Sequence, residues 1–186
     1  MPHAPLFLIT GPSGAGKSTV MTRLLKFRTL GLRHFVTTTT REPRRGEQNG
    51  HDYWFTTREE FEREVKRGNF YEWAEVYGNY YGSNKREMMR LQHLRQPIAM
   101  VVDVQGAHTI KGLIPDAVVI FIDAPKKNLI DRLKARGSAI QDLEARLKKL
   151  QHEETFRGEA SVAIVNEDGR LTETVALVAK EIKKRL

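Results

Sequence analysis

Short, nearly continuous apolar segments alternate along the chain with segments of helical periodicity. The apolar segments cover residues 6–9, 97–102, 117–122 and 161–165. Runs of this length without polar interruption are typical of parallel strands that are buried on both faces. Capping-box patterns start two of the intervening helices, one with Thr57 and Glu60 and the other with Ser138 and Gln141. The alternation predicts an α/β fold of three layers, with helices on both sides of a central parallel sheet.

Two stretches break this alternation and predict additions to a shared core. Residues 34–81 are rich in aromatic residues and turn signals, and Asn49-Gly50 before the segment 51–55 predicts a β-hairpin. Residues 126–158 are helical and strongly basic. A chain of 186 residues suits one domain rather than two large ones. We therefore expect a core of residues 1–33, 82–125 and 159–186, a small mixed α/β insert at 34–81 and a helical lid at 126–158.

The first predicted strand leads directly into a glycine-rich segment at 11–18 that fits G-x-x-x-x-G-K-[ST] without a mismatch. In this motif the glycines let backbone N–H groups surround phosphate oxygens, Lys17 can reach the outer phosphates, and the Ser18 hydroxyl can bind Mg²⁺. The alternative, a glycine-rich turn without a ligand, is disfavoured by the strand and helix that flank the segment. The motif predicts nucleoside triphosphate binding by Gly11, Ser13, Gly14, Ala15, Gly16, Lys17, Ser18 and Thr19.

The formal net charge is +8 at pH 7, which suits either a nucleic-acid surface or basic residues gathered around small phosphorylated substrates. Many basic residues stand in pairs beside glycine or proline instead of forming a continuous stripe, which favours the second interpretation. The sequence has no cysteine and no apolar stretch of membrane-spanning length. These features predict a cytoplasmic protein that binds neither a membrane nor a specific nucleic acid.

Residues 37–53 and 70–83 closely resemble the guanylate kinase family. The resemblance continues through the glycine-rich motif, the segment 103–106 and the basic lid, so it covers nearly the whole chain. It implies a P-loop kinase that transfers a phosphoryl group from ATP to GMP, with Mg²⁺ as cofactor. ATP and GMP are therefore the expected partners, and a monomer or homodimer is the expected assembly.

The acceptor GMP is expected to bind the insert. Arg41 and Arg44 lie three residues apart around Pro43, so their guanidinium groups can converge on one phosphate. A carboxylate complements the N1–H and exocyclic NH₂ of guanine, and Glu72 matches the family's guanine-reading glutamate. The resemblance implies a GMP site of Thr37, Arg41, Arg44, Tyr53, Glu72, Tyr81 and Ser83.

Purely structural interpretations of these residues also stay open. The two arginines suit an exposed basic turn. Tyr53 and Tyr81 suit an aromatic core whose hydroxyl groups lie at the rim. Glu72, between Tyr71 and Trp73, suits the exposed face of an alternating strand.

Phosphoryl transfer mainly needs positioning and positive charge around the γ-phosphoryl group. No general base is needed here, because the attacking phosphate oxygen is mostly dianionic at pH 7. A solvated, salt-bridged helix is the alternative for the basic residues of the lid. The resemblance implies catalytic roles for Lys17, Arg44, Arg132, Arg136 and Arg146, an ATP contact for Asn166, and Mg²⁺ binding by Ser18 and, through water, Asp103.

The chain departs from the family pattern at two places. The family commonly has Asp-x-Asp where this chain has Val101 and Asp103, so the contact of the first aspartate is missing. The lid is also one residue short between Gly137 and Arg146. Two alternative functions remain: a kinase of the same build with another phosphorylated acceptor, and a non-catalytic guanylate-kinase-like module that binds proteins.

Overall fold

The chain forms a central five-stranded sheet and a smaller four-stranded sheet, with helices packed against both. The computed structural model describes residues 4–76, 78–135 and 156–186. The strands are β1 (Leu6–Thr10), β2 (Arg33–Phe35), β3 (Thr38–Thr39), β4 (Trp54–Phe55), β5 (Phe70–Val76), β6 (Asn79–Asn84), β7 (Ile98–Val101), β8 (Val118–Asp123) and β9 (Val162–Val165). The α-helices of the described residues are α1 (Lys17–Leu24), α2 (Arg58–Lys66), α3 (Lys85–Gln92), α4 (Val104–Leu113), α5 (Lys126–Ala135) and α6 (Leu171–Lys183).

The central sheet has the strand order β2–β7–β1–β8–β9, and every neighbouring pair is parallel. All four apolar segments of the sequence form strands of this sheet, so the predicted α/β fold is confirmed. None of the helices in the described ranges combines the length and apolar character needed to cross a membrane.

Helices cover both faces of the central sheet because alternate residues of a strand point to opposite sides. Phe7 and Ile9 of β1 join a buried core with α1, α5 and α6. Leu6 and Leu8 join a second core with α3 and α4. The first four of the five residues of β1 are apolar because each face of the strand packs against a helical layer.

The smaller sheet has the order β4–β3–β6–β5 and packs against α2. Phe61 of α2 stacks on Phe70 of β5, with ring centroids 4.5 Å apart. Gly82 leaves room for this pair, because a Cβ there would lie 2.8 Å from the Phe70 ring. The predicted capping box of Thr57 and Glu60 is confirmed at the start of α2. The one predicted at Ser138 lies outside the described residues.

The predicted hairpin around Asn49-Gly50 is wrong. β4 pairs in parallel with β3, through Thr38 with Trp54 and Thr39 with Phe55, whereas a hairpin requires antiparallel strands. Gly50 does turn the chain, with φ of 76° and a hydrogen bond from its N–H to the Tyr53 carbonyl at 2.8 Å. This turn spans only a few residues. The longer segment between β3 and β4 returns the chain to the starting end of β3, so that β4 runs in the same direction as β3.

The chain crosses from the central sheet to the smaller sheet after β2 and returns to the central sheet after β6. Residues 33–35 still pair in the central sheet, and residues 79–84 pair in the smaller one. α3 follows β6 directly and packs on the central sheet through Met88 and Leu91. The smaller sheet is therefore held at the edge of the larger one by two short crossings.

The carboxyl ends of β1 and β7 define the crevice where ligands are expected. These strands are neighbours, yet α1 follows β1 on one face of the sheet while α4 follows β7 on the other face. Such a switch of direction opens a crevice at the carboxyl edge of the sheet, and α/β proteins bind ligands there. The glycine-rich loop and Asp103 both lie at this edge.

Candidate active site

The glycine-rich loop needs glycine where its backbone takes left-handed conformations. Gly11 and Gly16 have φ of 130° and 94°. A Cβ at Gly11 would collide with the Ile122 carbonyl oxygen, and one at Gly16 would lie 2.5 Å from Asn166 Nδ2. The loop is therefore shaped by contact with neighbouring strands as well as by its own turns.

α1 begins directly after this loop, and its first turn presents backbone N–H groups that have no partner within the helix. Gly16 caps the helix without a side-chain hydrogen bond. Ser18 and Thr19 are exposed in that first turn. Lys17 folds over the loop, donating from Nζ to the carbonyls of Gly11 at 2.5 Å and Pro12 at 3.0 Å. Backbone donors, a cation and a hydroxyl thus converge, which is the arrangement that binds phosphate.

Asn166 supports the loop from behind. It follows β9 and is buried, with Nδ2 donating to the Ala15 carbonyl at 2.7 Å. Its Oδ1 accepts a hydrogen bond from the Thr174 hydroxyl of α6 at 3.2 Å. Asn166 therefore fixes the loop relative to β9 and α6. The ATP contact expected of Asn166 stays a prediction.

Arg132 of α5 also contacts the loop through carbonyl oxygens. Its Nη1 donates to Gly14 at 3.1 Å, and its Nη2 donates to the Asn166 carbonyl at 2.9 Å. Asp168 accepts from Nη2 at 2.5 Å and from Nε at 2.9 Å. These contacts tie the start of the predicted lid to the phosphate-binding loop. The catalytic role expected of Arg132 stays a prediction.

Glu72 of β5 is turned toward the central sheet by a bulge. The register of β5 against β6 shifts between Phe70 and Trp73, so both aromatic rings pack on Phe61 of α2. Glu72 lies on the other side, where the Ser83 hydroxyl donates to its Oε1. A Cβ on Gly106 of α4 would lie 3.3 Å from Glu72 Oε2. The exposed-strand interpretation of Glu72 is therefore wrong.

The surroundings of Glu72 change its acidity. Burial raises the pKa of its carboxyl group from the usual 4.5 to about 7, although the Ser83 hydrogen bond opposes this shift. The nearby charge of Asp103 also raises the pKa. A carboxylate with a strongly shifted pKa beside a ligand crevice is a candidate functional group, and geometry already places Glu72 there.

Asp103 caps α4 and lies beside Glu72. Its Oδ1 accepts a hydrogen bond from the Gly106 N–H at 2.7 Å. The described residues contain no cluster of three or more His, Cys, Asp or Glu side chains suited to a metal. The exposed Ser18 hydroxyl and the Asp103 carboxylate nevertheless fit Mg²⁺ that takes most of its ligands from water and phosphate oxygens.

Arg41 follows β3 and is fixed by Glu47. Its Nη2 donates to both carboxylate oxygens of Glu47, at 2.8 and 3.0 Å. The guanidinium carbon lies 5.4 Å from the ring centroid of Tyr53, which itself contacts Tyr81 edge to face at 6.0 Å. Burial opposes the charge of Arg41, but Glu47 and Tyr81 together raise its pKa. Arg41, Tyr53 and Tyr81 thus form one cluster, and their expected contact with the GMP phosphate stays a prediction.

Three of the remaining predicted residues lie within the described part of the chain, and two lie outside it. Thr37 is half-buried just before β3, and its carbonyl accepts from the Trp54 N–H at 2.8 Å. Ser83 is buried against Glu72. Arg44 is exposed, three residues beyond Arg41. Arg136 and Arg146 lie outside the described residues.

Two side chains of this region did not emerge from the sequence. Glu47 holds Arg41 and the backbone N–H of Arg44, and Asp168 holds Arg132. Glu47 lies within the segment that carries the resemblance, so a search for a carboxylate near the paired arginines would have found it. Asp168 lies 36 residues from Arg132, and no local pattern connects them.

Known proteins are similar to this chain in both sequence and structure. A family model described as guanylate kinase matches residues 3–185. The chain is 40% identical over 165 residues to the guanylate kinase of Fusobacterium nucleatum, covering 88% of this chain and 88% of that protein. It is 35% identical over 180 residues to the guanylate kinase of Shewanella violacea, covering 95% and 87% respectively. The crystal structure of guanylate kinase from Anaplasma phagocytophilum is similar, with a TM-score of 0.77, 30% identity, and coverage of 100% of this chain and 87% of that one.

Proposed function

This chain belongs to the guanylate kinase family, and we propose that it transfers the γ-phosphoryl group of ATP to GMP, giving ADP and GDP. The glycine-rich loop would hold the phosphates of ATP, and the insert at 34–81 would hold GMP. The segment 126–158 would act as the lid over the reacting phosphates.

The observation that carries this proposal is the position of Glu72. Its carboxyl group is partly buried at the crevice edge, beside Ser83, Asp103 and the start of α4. A carboxylate in this position can accept hydrogen bonds from N1–H and the exocyclic NH₂ of guanine. Adenine has no hydrogen on N1, so it would leave the buried carboxylate without that partner, which costs binding energy.

The acceptor phosphate would be bound by the cluster around Arg41. Arginine binds phosphate through paired N–H groups, and Arg41 is partly shielded from solvent, so water weakens its charge less than at a fully exposed site. Tyr53 and Tyr81 restrict where its guanidinium can lie. Arg44, exposed in the same loop, can approach the phosphate from solvent.

The transfer step requires alignment more than proton chemistry. The loop N–H groups and Lys17 would stabilise charge on the outer phosphates of ATP. Ser18 and Asp103 would hold Mg²⁺, which neutralises phosphate charge when it is bound with ATP. The attacking oxygen of GMP is already deprotonated at neutral pH, so no side chain has to remove a proton. Arg136 and Arg146 are proposed as further cations of the lid.

The wider setting follows from this proposal. ATP and GMP are cytoplasmic metabolites, so we place the enzyme in the cytoplasm, as a monomer or homodimer without a specific nucleic-acid partner. A non-catalytic protein-binding module is less well supported, because such a module has no use for the phosphate-binding arrangement of Lys17 and Ser18.

The test is a coupled ADP-release assay with ATP and Mg²⁺, in which GMP, AMP, CMP, UMP and no acceptor are compared at equal concentrations. We expect turnover with GMP that exceeds turnover with every other acceptor. Equal turnover with several acceptors would contradict guanine recognition by Glu72. ATP binding without turnover on any acceptor would contradict the proposed reaction.

A further inference from the structure

Glu47 makes contacts that the expected GMP site does not include. Its Oε2 accepts hydrogen bonds from Arg41 Nη2 and from the Arg44 backbone N–H, both at 2.8 Å. Its Oε1 accepts a second bond from Arg41 Nη2 at 3.0 Å. One carboxylate therefore holds the side chain of one predicted phosphate-binding arginine and the backbone of the other.

The local turn brings Glu47 to this position. The Glu47 N–H donates to the Arg44 carbonyl at 3.0 Å, which closes a four-residue turn. Gly46 occupies the third position of the turn with φ of 89°, a conformation that glycine adopts without strain. Glu47 is 19% exposed and Arg41 is 14% exposed, so the pair is largely shielded from solvent.

The ion pair leaves Arg41 able to bind an anion. It occupies Nη2, and the Glu42 carbonyl accepts from Nη1 at 2.6 Å. A guanidinium has additional N–H donors on Nε and Nη1, and these are oriented once Nη2 is fixed. Glu47, together with the Tyr81 side chain that also hydrogen-bonds to Arg41, therefore restrains the group without occupying all of its N–H donors.

On the basis of the proposed function, we infer that Glu47 is a positioning residue for the acceptor phosphate, which it orients by clamping Arg41 and the Arg44 backbone into one unit. Preorganisation of this kind lowers the entropy lost when the ligand binds. The opposite role is competition, in which the Glu47 carboxylate occupies the Arg41 guanidinium in place of the phosphate. The two roles predict opposite effects when the charge of Glu47 is removed.

The test compares wild type with Glu47→Gln. If Glu47 positions the arginines, KM for GMP rises about tenfold, which corresponds to about 1.4 kcal/mol. The kcat value and KM for ATP stay within about twofold, because Glu47 touches neither ATP nor the transferring group. Inhibition by guanosine, which lacks the phosphate, stays unchanged.

Glu42→Gln is the matched control. Glu42 is exposed in the same loop, so this variant makes the same charge change on a side chain and keeps the backbone carbonyl that accepts from Arg41. We expect its KM for GMP to match wild type. Glu47→Asp, which keeps the charge on a shorter side chain, should recover part of the affinity for GMP.

Three results would overturn the inference. An unchanged or lower KM for GMP in Glu47→Gln would show that Glu47 does not position the clamp. An equal loss of GMP and guanosine binding in Glu47→Gln would indicate a general structural defect. If Glu47→Gln does not fold, Glu47→Asp takes its place, and an equal loss of both ligands in that variant would indicate the same defect. Absence of wild-type turnover with GMP is a separate result, and it would contradict the proposed function itself.

Discussion

The carboxyl group of Glu72 has to satisfy two opposing requirements. In the proposed GMP site, partial burial against Ser83 and α4 would let Glu72 discriminate between bases, because a mismatched base would leave it without partners. The same burial, with the charge of Asp103, favours the protonated form and raises the pKa to about 7. Guanine recognition needs the charged form, since a carboxylate accepts hydrogen bonds from both N1–H and NH₂.

This conflict predicts a pH dependence of GMP binding. Below pH 7 most of the free enzyme carries protonated Glu72, so GMP must bind to a shrinking carboxylate fraction. KM for GMP should therefore rise as the pH falls through 7, by up to about tenfold per pH unit, and should level off above pH 8. The measurement is KM for GMP between pH 6.5 and 8.5 at saturating ATP.

The matched variant for this pH profile is Glu72→Gln, which has no ionisable group at that position. Its KM for GMP should be higher and nearly constant across the same range. The range stays above the second pKa of the GMP phosphate, about 6, so phosphate protonation contributes little. A sloping wild-type profile that persists in Glu72→Gln would assign the titration to another group.

The contacts of these side chains could be predicted from the sequence only in part. The resemblance indicated Glu72, Arg41 and Ser83, and the structure brings Glu72 and Ser83 into contact. The bulge that turns Glu72 inward was not predicted, because it depends on how β5 pairs with β6. Glu47 was available from its position beside the paired arginines, whereas Asp168 contacts a residue 36 positions away, which no local sequence pattern indicates.

At the scale of elements, side chains from the segment after β9 and from α5 stabilise the phosphate-binding loop, in addition to the loop's own turns. Asn166 binds the Ala15 carbonyl, and Arg132 binds the Gly14 carbonyl. Both anchors bind carbonyl oxygens, so neither of them occupies an N–H group of the loop. The loop can therefore keep its shape while the N–H groups remain available to phosphate.

Asn166→Asp tests this support. The new carboxylate would be buried and would face the Ala15 carbonyl oxygen, where the amide now donates. We expect the free energy of unfolding to fall by about 2–4 kcal/mol and KM for ATP to rise several-fold. Chemical denaturation and steady-state kinetics give the two quantities.

Thr174→Val is the companion variant. It removes the hydroxyl that donates to Asn166 Oδ1 but leaves the bond to the Ala15 carbonyl. We expect a smaller loss of stability and an unchanged KM for ATP. If Asn166→Asp also left KM for ATP unchanged, the Ala15 bond would not determine the shape of the loop.

The strands and the loop were predictable because their signals are local. A buried parallel strand is an apolar run, and a phosphate-binding loop is a spacing of glycines and lysine. The supposed hairpin failed because Asn49-Gly50 specifies a turn but not the direction of the strands beyond it. β3 and β4 run parallel, and that depends on the path of the whole segment between them.

For the whole molecule, the site follows from the order of strands. β1 and β7 are adjacent, but their following helices lie on opposite faces, so the crevice opens between the phosphate-binding loop and Asp103. The smaller sheet brings Glu72 to that same edge. The glycine-rich loop, Asp103 and Glu72 therefore lie at the same edge of the central sheet although they are far apart in sequence.

We propose that this edge of the sheet joins an ATP site to a guanine-specific acceptor site. The most direct test is kcat/KM for GMP and for AMP, measured side by side for wild type, Glu72→Gln and Glu75→Gln. Glu75 lies on the same strand but is exposed, so it provides the same charge change away from the crevice. We predict that wild type and Glu75→Gln prefer GMP by on the order of 10³-fold or more, and that Glu72→Gln loses most of this preference through weaker use of GMP. An unchanged preference in Glu72→Gln would contradict the account.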